Sequence, residues 1–592
     1  MAINSLLRAP AIRKFVQQVK QKGVVFAVRA LLWKVQTALF KRLILTQDRF
    51  GWFPYSRWIR ENENIVSKIT SSSMETRFSF VVQAEFPPGP GWKDTLVSLQ
   101  SQQNAHWEVY ILFISSNPAE ERVDDFESDP RIHCLCYPTM PALDHILQAG
   151  EWVGMLQVGD TLAPGALRAF DVFIAQHPEA EIIYTDQDRL SMDGKTRYSP
   201  CFWPDWSPEL LLSTNFLSRS IVRRTIFTEQ AQAGLGFAEI VLHCTEKSGR
   251  QIGHIPQVLY HIRPSTKEKP TFPPEILIAH LERSGISHVS CQVRQGGQVQ
   301  FVWQPEEELV SIIILSCDRA NFLKRCIESI LKLTDYPHFE ILVIENNSKD
   351  AETFRYYEKI RDDPRIRIVE HQQTFNYSEF NNFGASHARG SLLLFLNNDT
   401  EVVESGWLAE LVRWAQRSEI GMVGAKLLYP NGLIQHAGIV VGLEGHAQHI
   451  FAGLNEGYSG IYGSEGWYRN YSAVTGACML VRKSVFNQIG GFDPNYQIAF
   501  GDVELCLRVR NAGLRVVYTP FARLVHHEGM TRANYIPAKD IQYSVGHFQN
   551  LVNRGDPFYN PNLSGAVRVP TLRRRSEELP LARFNHIVEY LS

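Results

Sequence analysis

Residues 310–350 read VSIIILSCDRANFLKRCIESILKLTDYPHFEILVIENNSKD, and their pattern sets the fold class. Residues 310–315 are a short β-branched, apolar run of the kind that forms a strand buried on both faces of a parallel sheet. Residues 320–333 follow with apolar side chains at helical spacing: Leu323, Cys326, Ile327, Ile330 and Leu331. Residues 340–344 are the next strand, and residues 392–396 another, after a helix-like stretch ending at Gly390. Strands alternating with helices imply an α/β fold with mostly parallel sheets, whose ligands sit beyond the C-terminal ends of the strands. Three polar clusters lie there: Ser316-Cys-Asp318, Glu345-Asn-Asn347 and Asn397-Asn-Asp399.

The same unit occurs twice. His106-Trp-Glu-Val-Tyr-Ile111 parallels His338-Phe-Glu-Ile-Leu-Val343 at an offset of 232 residues, and Asp129-Pro-Arg-Ile132 parallels Asp363-Pro-Arg-Ile366 at 234. Gly159-Asp-Thr161 and Asn398-Asp-Thr400 follow at 239, residues 221–227 and 480–486 at 259, and Leu259-Tyr-His261 and Leu524-Val-His526 at 265. Five matches in one order, with an offset that only grows, identify a tandem duplication of a unit of about 200 residues. The expected organisation is an N-terminal arm (1–75), a first unit (76–265), a connecting segment (266–308), a second unit (309–535) and a C-terminal tail (536–592). Pro264, Pro270, Pro273, Pro274 and Gly296-Gly297 mark the connection.

Composition narrows the class further. At 592 residues, 44% hydrophobic and 21% charged, the chain is globular rather than disordered, collagenous or coiled-coil. The net charge of −2 divides unevenly. Residues 1–47 hold nine Lys and Arg and no acid, leaving 51 basic against 62 acidic residues in the remainder, or −11. A basic arm on an acidic body argues against a nucleic-acid binder and directs any anionic partner to the arm. Nine cysteines without a CxxC pair indicate reduced thiols and a cytoplasmic location rather than a disulfide framework or zinc ribbon.

The apolar segment 23–45, GVVFAVRALLWKVQTALFKRLIL, is interrupted by Arg29, Lys34, Lys41 and Arg42. Each charge at a bilayer centre costs roughly 2.5–3.5 kcal/mol, so a span is not expected. A basic amphipathic helix lying on an anionic membrane surface fits the composition, which would make the protein peripheral on the inner face of the membrane. A helical arm packed on the body is the alternative.

The second unit resembles family 2 glycosyltransferases, metal-dependent nucleotide-sugar enzymes of GT-A fold, over residues 310–532. VSIIILSCDR resembles their opening strand and turn, VIENNSKD their nucleotide-contacting loop, and FNYSEFNNFGASHARG with LLLFLNNDTEV the helix leading into their DxD-type motif. SAVTGACMLVRKSVFNQIGGFDPNY and AFGDVELCLRVRNAGLRVVYTPFARLVHHEG resemble their acceptor-side and catalytic segments. The nearest subgroup is the tandem-domain, bacterial surface-polysaccharide, rhamnosyltransferase-like type. The resemblance implies two tandem GT-A-like (nucleotide-diphospho-sugar transferase) domains behind a basic helical arm.

The chemistry implied requires these residue types. A nucleoside diphosphate leaves readily only when its charge is neutralised, which a divalent cation on oxygen ligands achieves. Asn397 and Asp399 occupy that position, with His526 or His527 completing the set, and an imidazole suits Mn2+ better than Mg2+. Asn397 stands where the family usually has Asp, leaving one negative charge fewer on the cation. Asp502 matches the base that takes the acceptor hydroxyl's proton, with Glu504 as fallback; Gly501 stands where relatives often carry an acid. An N-cap role for Asp502 is compatible with that task. Donor nucleotide contacts are expected from Asp318, Glu345, Asn347 and Asn398, with Arg319 and Lys426 offered to phosphate on charge alone.

In the first unit the same positions are depleted. Residues 113–116 lack a carboxylate, Val158-Gly-Asp160 replaces one metal oxygen by valine, and Glu239 stands where an Asp would act as base. TDQDRLSMDGK, WPDWSPELLLSTNF and HIPQVLYHIR still resemble the first domain of tandem enzymes. The expectation is a degenerate first domain beside a catalytic second one. Together they form an inverting, hexosyltransferase-type enzyme that moves a sugar from a nucleotide-diphosphate sugar to a glycan, lipid-linked or free, in surface polysaccharide synthesis. Two alternatives stand beside it: a non-catalytic glycan-binding or scaffolding subunit, and a nucleotidyltransferase, which the absence of a Gly-rich phosphate loop disfavours.

Overall fold

The computed structural model describes the chain apart from residues 1–8, 64–75, 86–90, 115–128, 140, 142, 144–146, 148–149, 232–234, 248, 265–270, 295, 528–535 and 592. Ser115, Ser116, Gly234 and the 528–532 end of the resemblance therefore lie outside the described residues. Two large sheets carry the duplication. The second runs, in spatial order, Ile366–Glu370, Phe339–Glu345, Val310–Ser316, Leu392–Asn397, Cys478–Arg482, Ile420–Leu428, Arg515–His526 and Thr400–Val402. The first runs Ile132–Tyr137, Trp107–Ile114, Phe78–Glu85, Trp152–Gln157, Ser220–Arg223, Ile182–Leu190, Ile252–Ile262 and Thr161–Leu162. The two orders correspond strand for strand, as a tandem duplication requires.

Each sheet opens with four parallel strands and turns antiparallel at the fifth. The pairing register matches too: Thr161 faces His261 as Thr400 faces His526. The helix expected at 320–333 is Ala320–Leu333, with Leu323, Cys326, Ile327 and Ile330 buried against the sheet. The helix Tyr377–His387 starts at Asn376, whose side chain accepts from the Ser378 and Glu379 N–H groups. It packs so closely that a Cβ on Gly384 would lie 2.5 Å from the Ile313 Cγ2.

The segment expected as a connection is folded. It carries the helix Pro274–Arg283 and the hairpin Ser290–Val293/Val299–Val302, and Phe301 and Trp303 are buried in the core. Gln300 donates to Glu410 of the second unit at 2.6 Å. Phe202 and Trp203 are buried core and Trp206 is half-buried, because the 202–212 segment is clamped between the units. Ser207 bonds Asn470 (2.8 Å) and Glu209 pairs with Arg515 (2.8 Å).

The described part of the N-terminal arm forms three helices, Ala9–Lys22, Val24–Arg49 and Tyr55–Asn62. The long one lies on the C-terminal helix Pro580–Leu591 through Phe26 against Tyr590 (5.6 Å between ring centroids) and Trp33 against His586 (5.7 Å). Ile44 packs on Ala566 and Val567, and Arg574 donates to the Ile44 carbonyl. Arg574 is thus a buried tie to the arm. Among the described residues no helix is long and apolar enough to cross a membrane.

Candidate active site

Three groups of side chains meet at the C-terminal ends of the second sheet. The first clasps two loops together. Asp318 Oδ1 accepts from the Lys349 and Asp350 N–H groups (2.8 Å each), the Asp318 N–H donates to Ser348 Oγ (3.0 Å), and Glu345 Oε1 accepts from the Ser348 N–H (2.6 Å). Asn347 reaches the Gln373 carbonyl (3.1 Å). Asp318, Arg319 and Asn347 all sit at positive φ, 51°, 58° and 53°. For non-glycine residues this is strained backbone, and it persists where the surroundings over-determine it, as at ligand-binding loops. Three of the four expected nucleotide contacts therefore share one rigid clasp. Asn398 lies apart from it, partly exposed in the turn before Thr400.

The second group holds Asn397, Asp399 and His526. His526 Nε2 lies 3.1 Å from Asp399 Oδ1 and 3.3 Å from Asn397 Nδ2. Its other nitrogen, Nδ1, is 2.7 Å from Gln435 Oε1, while Gln435 Nε2 donates to the His526 carbonyl (3.4 Å). The Gln435 amide is thereby oriented with its oxygen on Nδ1, so Nδ1 donates to it and Nε2 is the nitrogen turned toward Asp399. That nitrogen and the Asp399 carboxylate stand side by side in a buried place. His527 is turned elsewhere: its ring meets Glu401 (3.2 Å) and Arg325, and only its backbone N–H reaches the Asp399 carbonyl.

The third group centres on Asp502, in the first turn of the helix Gly501–Asn511. Asp502 Oδ2 accepts from the Gly476 N–H (2.8 Å), and Oδ1 from the Val503 N–H (2.9 Å). Burial pushes its carboxyl above the usual range, and these backbone bonds only partly oppose it. Glu504 is buried and held in a bidentate pair with Arg508 (2.6 and 2.7 Å). That pairing gives Glu504 a structural task.

The dipeptide Gly476-Ala477 joins the second and third groups. The Ala477 carbonyl accepts from the Asn397 N–H (3.0 Å), and its neighbour Gly476 holds Asp502. Tyr377 Oη donates to the Gly476 carbonyl (2.9 Å), and a Cβ on Gly476 would lie 2.5 Å from that hydroxyl and 3.3 Å from the Asp502 Cβ. Only glycine fits there. Behind it, His436 Nε2 faces the Thr475 N–H (3.4 Å) and its Nδ1 faces His449 (3.3 Å). Burial, then the neighbouring histidines, holds His436 well below the usual imidazole range, and burial takes His449 down to about 4. Gln435, His436, Gly476 and Tyr377 were not singled out from sequence. Lys426, offered to phosphate, is buried between Glu465 (2.6 Å) and Glu456 (3.0 Å), which consume its charge.

The first unit shows the same framework filled in. Asp160, at the position of Asp399, is fully buried against Arg219 (2.6 Å) and accepts from the Gln157 and Arg263 N–H groups. A guanidinium stands beside the acid. His261, at the position of His526, is bonded to Asp188 instead (2.7 Å). The Arg263 side chain, paired with Asp94 (2.6 Å), lies where Cβ atoms on Gly91, Gly159 or Gly194 would come within 2.2–2.7 Å of it. Glu239 bonds back to the Gly236 N–H (3.1 Å) as a helix cap.

Residues 311–490 match the family described as Glycosyl transferase family 2. The O-antigen biosynthesis protein RfbC of Myxococcus xanthus is 38% identical over 517 residues, 82% of this chain and 40% of that protein. The uncharacterized protein y4gI of Sinorhizobium fredii is 34% identical over 534 residues, 82% of this chain and 57% of that protein. The chain thus spans about half the length of these two relatives. A shorter match, 46% over 55 residues (9% of this chain, 18% of that protein), is to the N-acetylglucosaminyl-diphospho-decaprenol L-rhamnosyltransferase of Mycobacterium tuberculosis.

Proposed function

We propose, from the match of residues 311–490 to glycosyl transferase family 2, that the second unit transfers a sugar from a nucleotide-diphosphate donor to a glycan acceptor in surface-polysaccharide synthesis, with inversion. The observation that carries the reading is the peptide 476–477, which anchors Asn397 on one side and Asp502 on the other. It sets a diphosphate-side cluster next to a candidate base. Rhamnose is the donor sugar suggested by the relative from Mycobacterium tuberculosis, and a lipid-diphosphate glycan the acceptor class.

The Asp399 carboxylate, His526 Nε2 when unprotonated and the Asn397 amide oxygen, once that amide is turned, form a donor set suited to Mn2+ or Mg2+. The observation that fits such an ion is the buried convergence of His526 Nε2, the Asp399 carboxylate and the Asn397 side chain within 3.1–3.3 Å. Among the described residues no cluster of three or more His, Cys, Asp or Glu side chains could hold a metal. With one carboxylate in the set, binding is expected to be weak until a diphosphate adds its oxygens. A bound divalent cation would supply charge neutralisation for the leaving diphosphate. The protein's own residues do the rest: the 318–350 clasp holds the nucleotide, and Asp502 takes the acceptor proton. Arg219 fills the corresponding place in the first unit, which we assign a supporting role.

Thermal unfolding of the full chain with UDP, dTDP and GDP, each with and without Mn2+, tests this reading. Saturation at 100 times Kd adds about 2.7 kcal/mol. The expected result is a metal-dependent shift with one nucleotide, lost in Asp399→Ala. No shift with any nucleotide would remove the donor site. Gln435→Leu should weaken Mn2+ binding, read by electron paramagnetic resonance, by roughly 10–100-fold, because the ring of His526 loses the bond that fixes its tautomer. Unchanged binding would take Gln435 out of the site.

A further inference from the structure

The helix Val24–Arg49 has two apolar faces, and the protein covers one. Ala27, Ala30 and Ile44 are buried, and Phe26 and Trp33 pack on the C-terminal helix. Lys41 is drawn onto the body by Glu444 (3.0 Å). On the opposite side Val25, Leu32, Leu39, Leu43 and, just past the helix end, Phe50 recur at spacings of seven, seven, four and seven residues, which aligns them in one stripe. Trp52 stacks on Phe50 at its end (5.3 Å). These six side chains are 48–69% exposed. Ten of the eighteen strongly exposed large apolar side chains among the described residues fall between Val24 and Trp52, so this is a patch and not ordinary scatter.

Charge decides what covers it. Arg29 and Arg42 are exposed beside the stripe, and no acid precedes Asp48. A second copy laid on this face would bring cations against cations with no carboxylate to receive them. A surface of anionic headgroups offers both the apolar layer and the countercharge, and exposed aromatic rings such as Phe50 and Trp52 sit well at that boundary. We propose that this face docks the protein on a lipid bilayer rich in anionic headgroups, the helix lying in the interface with its opposite face still bound to the body. The proposal is independent of the transferase reading.

Flotation of the full chain with vesicles of phosphatidylcholine alone, or with about 30% phosphatidylglycerol, tests it. The wild type should float with the anionic vesicles and be released by high salt. Combined Leu32→Gln, Leu39→Gln and Leu43→Gln should lower the bound fraction about tenfold or more, and Arg29→Gln with Arg42→Gln about tenfold on anionic vesicles alone. All five positions are exposed, so the variants should melt as the wild type does, measured alongside. A wild type that stays unbound, or a triple variant that binds equally, overturns the proposal. So does a wild-type dimer in light scattering that the triple variant converts to monomer without any vesicle binding, which would assign the face to a second copy.

Discussion

Asp502→Asn is expected to lower kcat by roughly 10²–10⁴-fold while leaving nucleotide binding in place. Asparagine keeps an oxygen for the Gly476 N–H, so the peptide 476–477 and the Asn397 anchor survive. It cannot accept a proton from an acceptor hydroxyl. The pH dependence gives a second reading. Burial raises the Asp502 carboxyl above its usual range, and a base acts in its ionised form. Activity should therefore fall on acidification at a higher pH than an ordinary aspartate would set, and the variant's residual activity should lack that limb. Stability should change little or rise slightly near neutrality, because a carboxylate whose ionised form is disfavoured by burial has been removed. Steady-state kinetics between pH 4 and 9 with the wild type and Asp502→Asn checks both points. Activity within threefold of wild type would relieve Asp502 of the role. Glu504→Gln is the control: by loosening the Arg508 pair it should act on folding more than on kcat.

Asp186→Ala should destabilise the protein by about 3–5 kcal/mol, the range for removing one partner of a buried charged pair. Asp186 is fully buried and accepts from the Trp203 N–H (2.9 Å), from Asn560 (2.8 and 2.9 Å) and from Asn562 (3.2 Å), and it faces His254 Nε2 at 3.2 Å. Without it, an imidazolium, two amides and a backbone N–H lose their acceptor where the first unit meets the C-terminal tail. Burial alone would lower the His254 pKa, but the bonds to Asp186 and Asp205 outweigh it and raise it to about 9. A histidine whose folded value exceeds its unfolded one, about 6.5, stabilises fully below the unfolded value and progressively less as pH rises through the folded one. The wild type should thus lose about 3 kcal/mol between pH 6.5 and 9, and Asp186→Ala much less. Urea unfolding across that interval, with hydrogen exchange at residues 560–562 as a local probe, decides it. Equal pH slopes in the two proteins would show that the knot holds no charge.

The fold was legible because its signal is local and repeated. Strand runs such as 310–316 and 392–397 announce themselves, and the growing offset between copies is a statement about matching strand ends that the Thr161–His261 and Thr400–His526 registers bear out. The approach of Asn397, Asp399 and His526 was legible for the same reason, each standing at a strand terminus. Gln435 was not. It lies on a three-residue strand with no periodicity, and its partner is 91 positions away. The TDQDRL stretch was visible as a motif, but its physical meaning depends on Asn560, 374 residues on. The helix Val24–Arg49 was read as amphipathic because sequence shows which residues are apolar and not which of two apolar stripes finds a partner.

The docking of that helix on Pro580–Leu591 has a consequence in time. The arm is synthesised before its seat, which follows more than 500 residues later. At 5–20 residues per second, that interval is on the order of a minute. For that minute the helix has neither face covered by its own protein. Whatever meets it first, a bilayer or a chaperone, meets it on a nascent chain, so where the protein settles is open to decision before the second unit has folded.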